Sequence, residues 1–226
     1  MGTPDELDMA QKRTALVASL RRRSYITSDD VADAMGTVPR EVFVPDELRS
    51  QAYDDNPLPI GSGQTISAPH MVAIMVELLE LKEGMKVLEI GGGSGYHAAV
   101  VASLVGEGGH VYSMEWHGPL VERARRSLKA TGLADRVTLI KGDGSLGHPD
   151  EAPYDRVFIS CGAPDIPKPL VEQLVEGGII IVPVGRGFQD LVRGVKTKGR
   201  LRTEDHGGCV FVPLVGEHGF KDGTLW

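Results

Sequence analysis

The stretch Glu89-Ile90-Gly91-Gly92-Gly93-Ser94-Gly95-Tyr96 puts four glycines into five positions, directly after an apolar run at 86–90. Glycine has no Cβ, so such a loop can turn sharply and bring its backbone close to a ligand. A plain strand-to-helix turn needs fewer glycines, and the loop predicts a nucleotide-like ligand. Three familiar loops do not fit. A P-loop needs Lys before Ser or Thr. A nucleophile elbow needs Gly where Tyr96 stands, and a dinucleotide fingerprint needs its third glycine at that same place. Two carboxylates follow. Glu115 lies twenty-four residues past Gly91, at the end of the next apolar run, where an acid can accept from both hydroxyls of a ribose. Asp143 sits between Gly142 and Gly144 after a third run, where its carboxylate can accept from an adenine amino group. The seven histidines include no His-x-His or His-x-x-x-His pair, and Cys161 and Cys209 lie far apart. Neither a metal site nor a disulfide scaffold is expected.

Such residues need strands to carry them. Apolar runs at 86–90, 110–114, 137–140, 156–160 and 179–184 alternate with helical stretches at 96–105, 119–130 and 169–175. This alternation predicts an α/β, Rossmann-like fold: a mostly parallel central sheet with helices on both faces. Gly132 should stop the second of those helices. Runs at 191–197 and 209–215 follow with no room for a helix between them, which predicts an antiparallel edge. Upstream, residues 5–23 have helical composition. Ser28 before Asp29 and Asp30 reads as an N-cap, with Gly36 closing that helix. Residues 56–67 are rich in Gly and Pro and should be irregular. Residues 69–82 read as a helix with Pro69 in its first turn and Val72, Met75, Leu78 and Leu79 at core spacing.

The pattern Glu-x-Gly-x-Gly-x-Gly over Glu89, Gly91, Gly93 and Gly95 resembles the first motif of Rossmann-like methyltransferases. In that group the loop wraps the methionine part of S-adenosylmethionine. The resemblance implies S-adenosylmethionine as cofactor and S-adenosylhomocysteine as product. It also implies a site made of Glu89, Gly91, Gly93, Ser94, Gly95, Glu115, Gly142, Asp143 and Gly144. The flanking segments are more specific. Gly63-Gln64-Thr65-Ile66-Ser67-Ala68-Pro69-His70-Met71 is similar to the signature of the protein-L-isoaspartate O-methyltransferases. Pro57-Leu58-Pro59-Ile60, Ala152-Pro153-Tyr154-Asp155 and Phe211-Val212-Pro213-Leu214-Val215-Gly216 agree in order, so the resemblance covers residues 39–220.

That family implies methyl transfer to the α-carboxylate of L-isoaspartyl residues, whose ester recloses to a succinimide and hydrolyses partly to aspartate. Isoaspartyl-containing proteins and peptides would be the partners. Thr65, Ile66, Ser67, Ala68, Pro69 and His70 would hold them, and Val212, Pro213 and Leu214 form either a strand that pairs with the substrate backbone or a plain core strand. Ser67 is placed nearest the chemistry, its hydroxyl donating to the substrate carboxylate; its structural alternative is to cap the helix that follows. His70 stays open between substrate contact and packing. A carboxylate is already ionised at neutral pH and needs no general base, which suits a sequence with no recognisable triad. Three positions depart from the family pattern: Gly92 stands where Thr is common, Trp116 where Arg is common, and Ser160-Cys161 in a stretch usually made of Thr or Ala. The segment 1–82 would be an N-terminal helical, substrate-side extension and 83–226 the cofactor-binding core with C-terminal strands, all in a single domain over 1–226.

Composition narrows the classes. The chain has 226 residues, net charge −7, 41% hydrophobic and 24% charged residues, ordinary for a soluble globular protein. It lacks the basic balance of a nucleic-acid binder, and the cluster Arg21, Arg22, Arg23 reads as a helix end. Residues 1–10 carry no apolar h-region, the Met-Gly start has Glu6 where myristoylation needs Ser or Thr, and no apolar run reaches a membrane span. A cytoplasmic monomer is expected, with no nucleic-acid or membrane partner. The competing readings are a small-molecule or RNA methyltransferase on the same fold, an NAD-dependent oxidoreductase using Glu115 for ribose, and a non-catalytic nucleotide-binding module.

Overall fold

Residues 3–220 are described by a computed structural model; the Met-Gly start lies outside them. Helix α1 (Pro4–Arg22) opens on a capping box in which Thr3 and Glu6 bond each other's backbone N–H. Of the basic cluster at its end, Arg21 pairs with Asp29 and Arg23 with Asp55. Helix α2 (Asp29–Thr37) is capped by Ser28, which accepts from the Val31 N–H. It runs through Gly36 and leaves at Val38, so that glycine does not close it. The stretch expected to be irregular contains a small hairpin, β1 (Leu58–Gly61) and β2 (Gln64–Ile66). Ser62 and Gly63 turn it with φ of 53° and 69°. Helix α3 (Pro69–Leu79) stops short of residue 82, because Glu80 adopts the left-handed conformation at φ 50°.

The cofactor half alternates as the patterning predicts: β3 (Lys86–Ile90), α4 (Tyr96–Val105), β4 (His110–Glu115), α5 (Gly118–Ala130), β5 (Val137–Lys141) and β6 (Tyr154–Ile159). Then come α6 (Lys168–Glu172), β7 (Leu174–Val184), β8 (Gln189–Thr197) and β9 (Arg200–Cys209). Among the described residues the main sheet has the order β5-β4-β3-β6-β7-β8-β9. It is parallel from β5 to β7 and antiparallel at β8 and β9. The antiparallel edge is present, but its last strand is Arg200–Cys209, not 209–215. The apolar residues after Cys209 leave the sheet, and Pro213 bridges Gly162 in the loop after β6.

Alternate residues of the central strands feed two cores, one per face. Val87, Phe158, Ile179 and Ile181 pack with α2, α3 and α4. Leu88, Val157, Ile159, Ile180 and Val182 pack on the other face with Leu170 of α6. The first core is continuous with the N-terminal helices through Leu16, Leu20, Met35 and Phe43. Polar ties reinforce it. Glu77 of α3 accepts from the backbone and hydroxyl groups of Thr27 and Ser28, and the Ser127 hydroxyl of α5 donates to the Val42 carbonyl.

Candidate active site

Strands β3, β4 and β6 end in register, with Ile90 opposite both Met114 and Ile159, so the loops that follow open at one edge of the sheet. Gly91, Gly93 and Gly95 take φ of 85°, 53° and 84°, a region that side chains other than glycine rarely adopt. The N–H groups of Gly91 and Gly92 donate to the Met114 carbonyl at 2.8 and 3.0 Å. The N–H of Gly93 donates to Glu115 Oε2 at 2.8 Å, and that of His117 to Glu115 Oε1 at 2.7 Å. Glu115 is thus buried at the tip of β4, holding the glycine loop to its own turn, with lone pairs left on each oxygen.

A cleft of about 540 Å³ runs along this edge, walled by Gly91, Gly93, Met114, Glu115, Trp116, Gly142, Gly144 and Cys161. A Cβ on Gly144 would lie 2.5 Å from Ile90 Cγ2, so that wall is held in by backbone alone. Asp143 lies in the turn that follows β5. One of its oxygens accepts from the Ser145 N–H and hydroxyl, the other from the Glu217 N–H. It organises its own turn and is not among the residues lining the cleft.

Glu89 and Ser94 lie one layer deeper, both buried. Ser94 Oγ accepts from the Tyr96 N–H. The Ser113 hydroxyl donates to Glu89 Oε2, while Glu89 Oε1 has no partner. Burial pushes the Glu89 carboxyl up to about 8; the Ser113 bond opposes this and the Glu115 charge adds to it. Ser113 also accounts for Gly92: a Cβ there would fall 2.3 Å from its Oγ.

The acceptor side is built from β2 and the start of α3. Ile66, Ala68 and Pro69 are buried, and Thr65 is exposed at the rim. Ala68, not Ser67, is the N-cap residue of α3, and no side chain caps it. The capping alternative for Ser67 is therefore set aside. Ser67 is fixed instead through its carbonyl, which accepts from Arg40 Nη2 at 2.8 Å. Arg40 is fully buried, also donates from Nε to the Ala52 carbonyl at 2.8 Å, and lies 5.0 Å from the Tyr96 ring centroid. His70 is anchored by Asp55, whose Oδ1 lies 2.8 Å from both the His70 N–H and Nδ1 and whose Oδ2 meets Arg23.

A groove of about 640 Å³ crosses this surface, lined by Ser67, His70, Met71, Ser160, Phe211 and Val212. Val212 to Leu214 do not form a free strand edge on all sides. The Val212 carbonyl accepts from the Gly162 N–H and the Leu214 N–H donates to the Gly162 carbonyl, both at 2.8 Å. Phe211 N–H donates to Gln189 Oε1 at 2.8 Å. Cleft and groove share Thr65, Ser160 and Val212 and meet there. Sequence reasoning missed Arg40, Asp55, Gln189 and His97. None belongs to a motif, and each is brought in by contacts between distant elements.

A glycine-turned strand–helix junction, with an acid at the neighbouring strand tip and a parallel sheet carrying an antiparallel edge, defines a Rossmann-like S-adenosylmethionine-dependent methyltransferase. The residues fit that cofactor: the loop exposes backbone to the cleft, and Glu115 offers acceptors inside it. Comparison with known proteins narrows the class. A family model described as protein-L-isoaspartate(D-aspartate) O-methyltransferase matches residues 11–219. The protein-L-isoaspartate O-methyltransferase of Hyperthermus butylicus is 54% identical over 229 residues, covering 97% of this chain and 95% of that protein. That of Methanothrix thermoacetophila is 57% identical over 216 residues, covering 95% and 100%. A solved protein-L-isoaspartate O-methyltransferase superposes with a TM-score of 0.83 at 34% identity, over 92% of this chain and 67% of that one. A second, from Plasmodium falciparum and in complex with S-adenosyl-L-homocysteine, gives 0.80 at 26% identity, over 90% and 98%. This chain belongs to the protein-L-isoaspartate O-methyltransferase family.

Proposed function

We propose that the chain performs its family's repair reaction where cleft and groove meet, with Ser67 orienting the acceptor. S-adenosylmethionine supplies a methyl group on a sulfonium that is its own leaving group. The acceptor is the α-carboxylate of an L-isoaspartyl residue in a damaged protein or peptide, and the methyl ester formed leads through a succinimide back toward aspartate. The carboxylate arrives charged, so this chain need not move a proton to activate it. Its residues align and desolvate. The glycine loop and Glu115 hold the donor side. Ser67, clamped by Arg40 through its carbonyl, directs its hydroxyl at the acceptor. Pro213 and its neighbours hold the substrate backbone along the groove, which suits an enzyme that reads an abnormal main chain. The observation that carries this reading is the wall at Thr65, Ser160 and Val212 that the cleft beside the glycine loop shares with the groove beside Ser67.

The enzyme works as a single-domain cytoplasmic monomer without nucleic-acid or membrane partners. Net charge −7 supports the absence of a polyanion partner. Among the described residues, the exposed large apolar side chains Leu7, Trp116, Leu146, Phe188 and Val210 are spread over the chain, and no helix is long and apolar enough to cross a membrane. The deciding experiment offers labelled S-adenosylmethionine with two peptides that differ only in Asp against isoaspartate. Label should enter the isoaspartyl peptide as a base-labile ester and leave the Asp peptide essentially unlabelled. Equal labelling of both would remove the isoaspartate assignment.

A further inference from the structure

Two polar residues, Ser160 and His97, stand at the junction of cleft and groove beside Ser67. Ser160 follows β6; its N–H donates to the Ile90 carbonyl at 2.8 Å, beside the first loop glycine. It lines the cofactor cleft, the groove, and an inner cavity of about 310 Å³ that also includes Ser67 and Glu89. His97, in the first turn of α4, is buried, lines that inner cavity, and packs its ring 4.4 Å from the Phe158 ring. Its Nδ1 lies 3.3 Å from Ser160 Oγ, and its Nε2 has no partner.

The unpartnered nitrogen decides the tautomer. Burial lowers the His97 pKa to about 3, so the ring is neutral, with one N–H and one lone pair. A buried N–H without an acceptor is a rarer and costlier fault than a lone pair without a donor. This favours the lone pair on Nε2 and the proton on Nδ1, the tautomer in which that N–H donates to Ser160 Oγ. The Ser160 hydroxyl hydrogen must then turn away from His97.

We propose that Ser160 is a second carboxylate-orienting residue, its hydroxyl donating to one oxygen of the acceptor while Ser67 donates to the other, and that His97 is the positioning residue that aims it. This rests on the reading of Ser67 as the acceptor-side donor. Both hydroxyls belong to residues that line the inner cavity and the groove. One donor lets a carboxylate pivot about its single bond; two donors fix its plane, as in other two-point recognition of carboxylates. A fixed plane is what in-line attack on a methyl group requires. The chain from Nδ1–H through Ser160 to the carboxylate also polarises in one direction, which strengthens the final bond.

The test measures kcat with saturating isoaspartyl peptide, and S-adenosylhomocysteine affinity by calorimetry, for S67A, S160A, S160T, H97L, H97N and the double variant H97L/S160A. S160A should lower kcat about tenfold or more, the scale of one hydrogen bond to a charged group, with cofactor-product affinity within about twofold of wild type. S160T keeps the hydroxyl and should restore most of the rate. H97L should slow the enzyme by a smaller factor that vanishes in the S160A background. H97N places an amide N–H near the Nδ1 position and should retain activity. An unchanged kcat in S160A, a loss of product affinity as large as the loss of rate, or His97 and Ser160 effects that simply multiply would each overturn the proposal. If S67A is slow and S160A is not, this inference alone fails. If neither is slow, the reading of the acceptor site fails with it. Should H97L not fold, the S160A and S160T pair decides.

Discussion

Ser67 and Glu115 serve opposite partners, so their loss should show in different measurements. Ser67→Ala removes one hydrogen bond to a charged acceptor, worth about 1.5–3 kcal/mol, and turnover should fall about ten- to a hundred-fold. Product affinity and melting temperature should hardly move, because the hydroxyl caps no helix. Complete loss of activity in a folded variant would demand a more direct chemical role. Glu115→Ala removes the acceptor for Gly93 and His117 N–H groups as well as any ribose contact. S-adenosylhomocysteine binding should weaken by about 2–4 kcal/mol in calorimetry; unchanged affinity would take Glu115 out of the site. Glu89 acts through its proton. Burial lifts it from 4.5 to about 8, so the folded chain keeps a proton that the unfolded chain releases in that window. The contribution is complete below about pH 4.5 and fades as pH rises through about 8. Glu89→Gln stays neutral throughout. Its stability should gain on wild type between about pH 5 and 8, by on the order of 4 kcal/mol; parallel pH curves would refute the shift. Glu115 and the glycines were legible because their chemistry lies in local spacing. Arg40 and His97 were not, since their meaning comes from Ser67 and Ser160, each tens of residues away.

At the scale of elements, legibility followed burial. Strand β3 and helix α4 are buried almost throughout, and their apolar runs stand out in the sequence. Strand β9 is exposed along nearly its whole length, so it shows neither an apolar run nor alternation. The apolar stretch after Cys209 drew the prediction instead. Its Phe211 and Leu214 are buried by packing, away from the sheet's ladder. The hairpin β1–β2 hid for a related reason: its turn needs the glycines that make the segment look irregular. The 211–214 segment is held beside the groove by Gly162 and by Gln189, itself buried, whose carbonyl oxygen accepts from Phe211 N–H while its amide donates to Gly187. Gln189→Leu should leave that N–H unpaired at a cost of about 1–3 kcal/mol. The loosened segment should raise KM for isoaspartyl peptide several-fold, with kcat and product affinity much less affected. Kinetics over a range of peptide concentrations would check this. A fall in kcat with constant KM would mean that the segment does not hold the substrate.

The whole molecule behaves as one unit only if the N-terminal helices and the cofactor core share their stability. Their common ground is visible in the packing. Phe43 meets Tyr96 edge-on at 5.6 Å, Arg40 is buried against the same ring, and the core that contains Leu20 and Met35 also contains Val87 and Phe158. Arg156 of β6 and Arg193 of β8 both donate to carbonyls at the end of α3. None of these contacts survives if one half unfolds alone, so the chain is expected to unfold as one unit. Ligand linkage tests this. S-adenosylhomocysteine at a hundred times its Kd stabilises the state that binds it by about 2.7 kcal/mol. For a chain of this size that should move the midpoint by roughly 5–10 °C. The cleft is built only from β2 and the later half, whereas much of the helix lies in α1, α2 and α3. With one cooperative unit, helix signal in far-ultraviolet circular dichroism and the fluorescence of Trp116 at the cleft should melt together, and the ligand should shift both equally. Two separable units would instead leave an early helical transition that the ligand does not move, and that result would divide the chain.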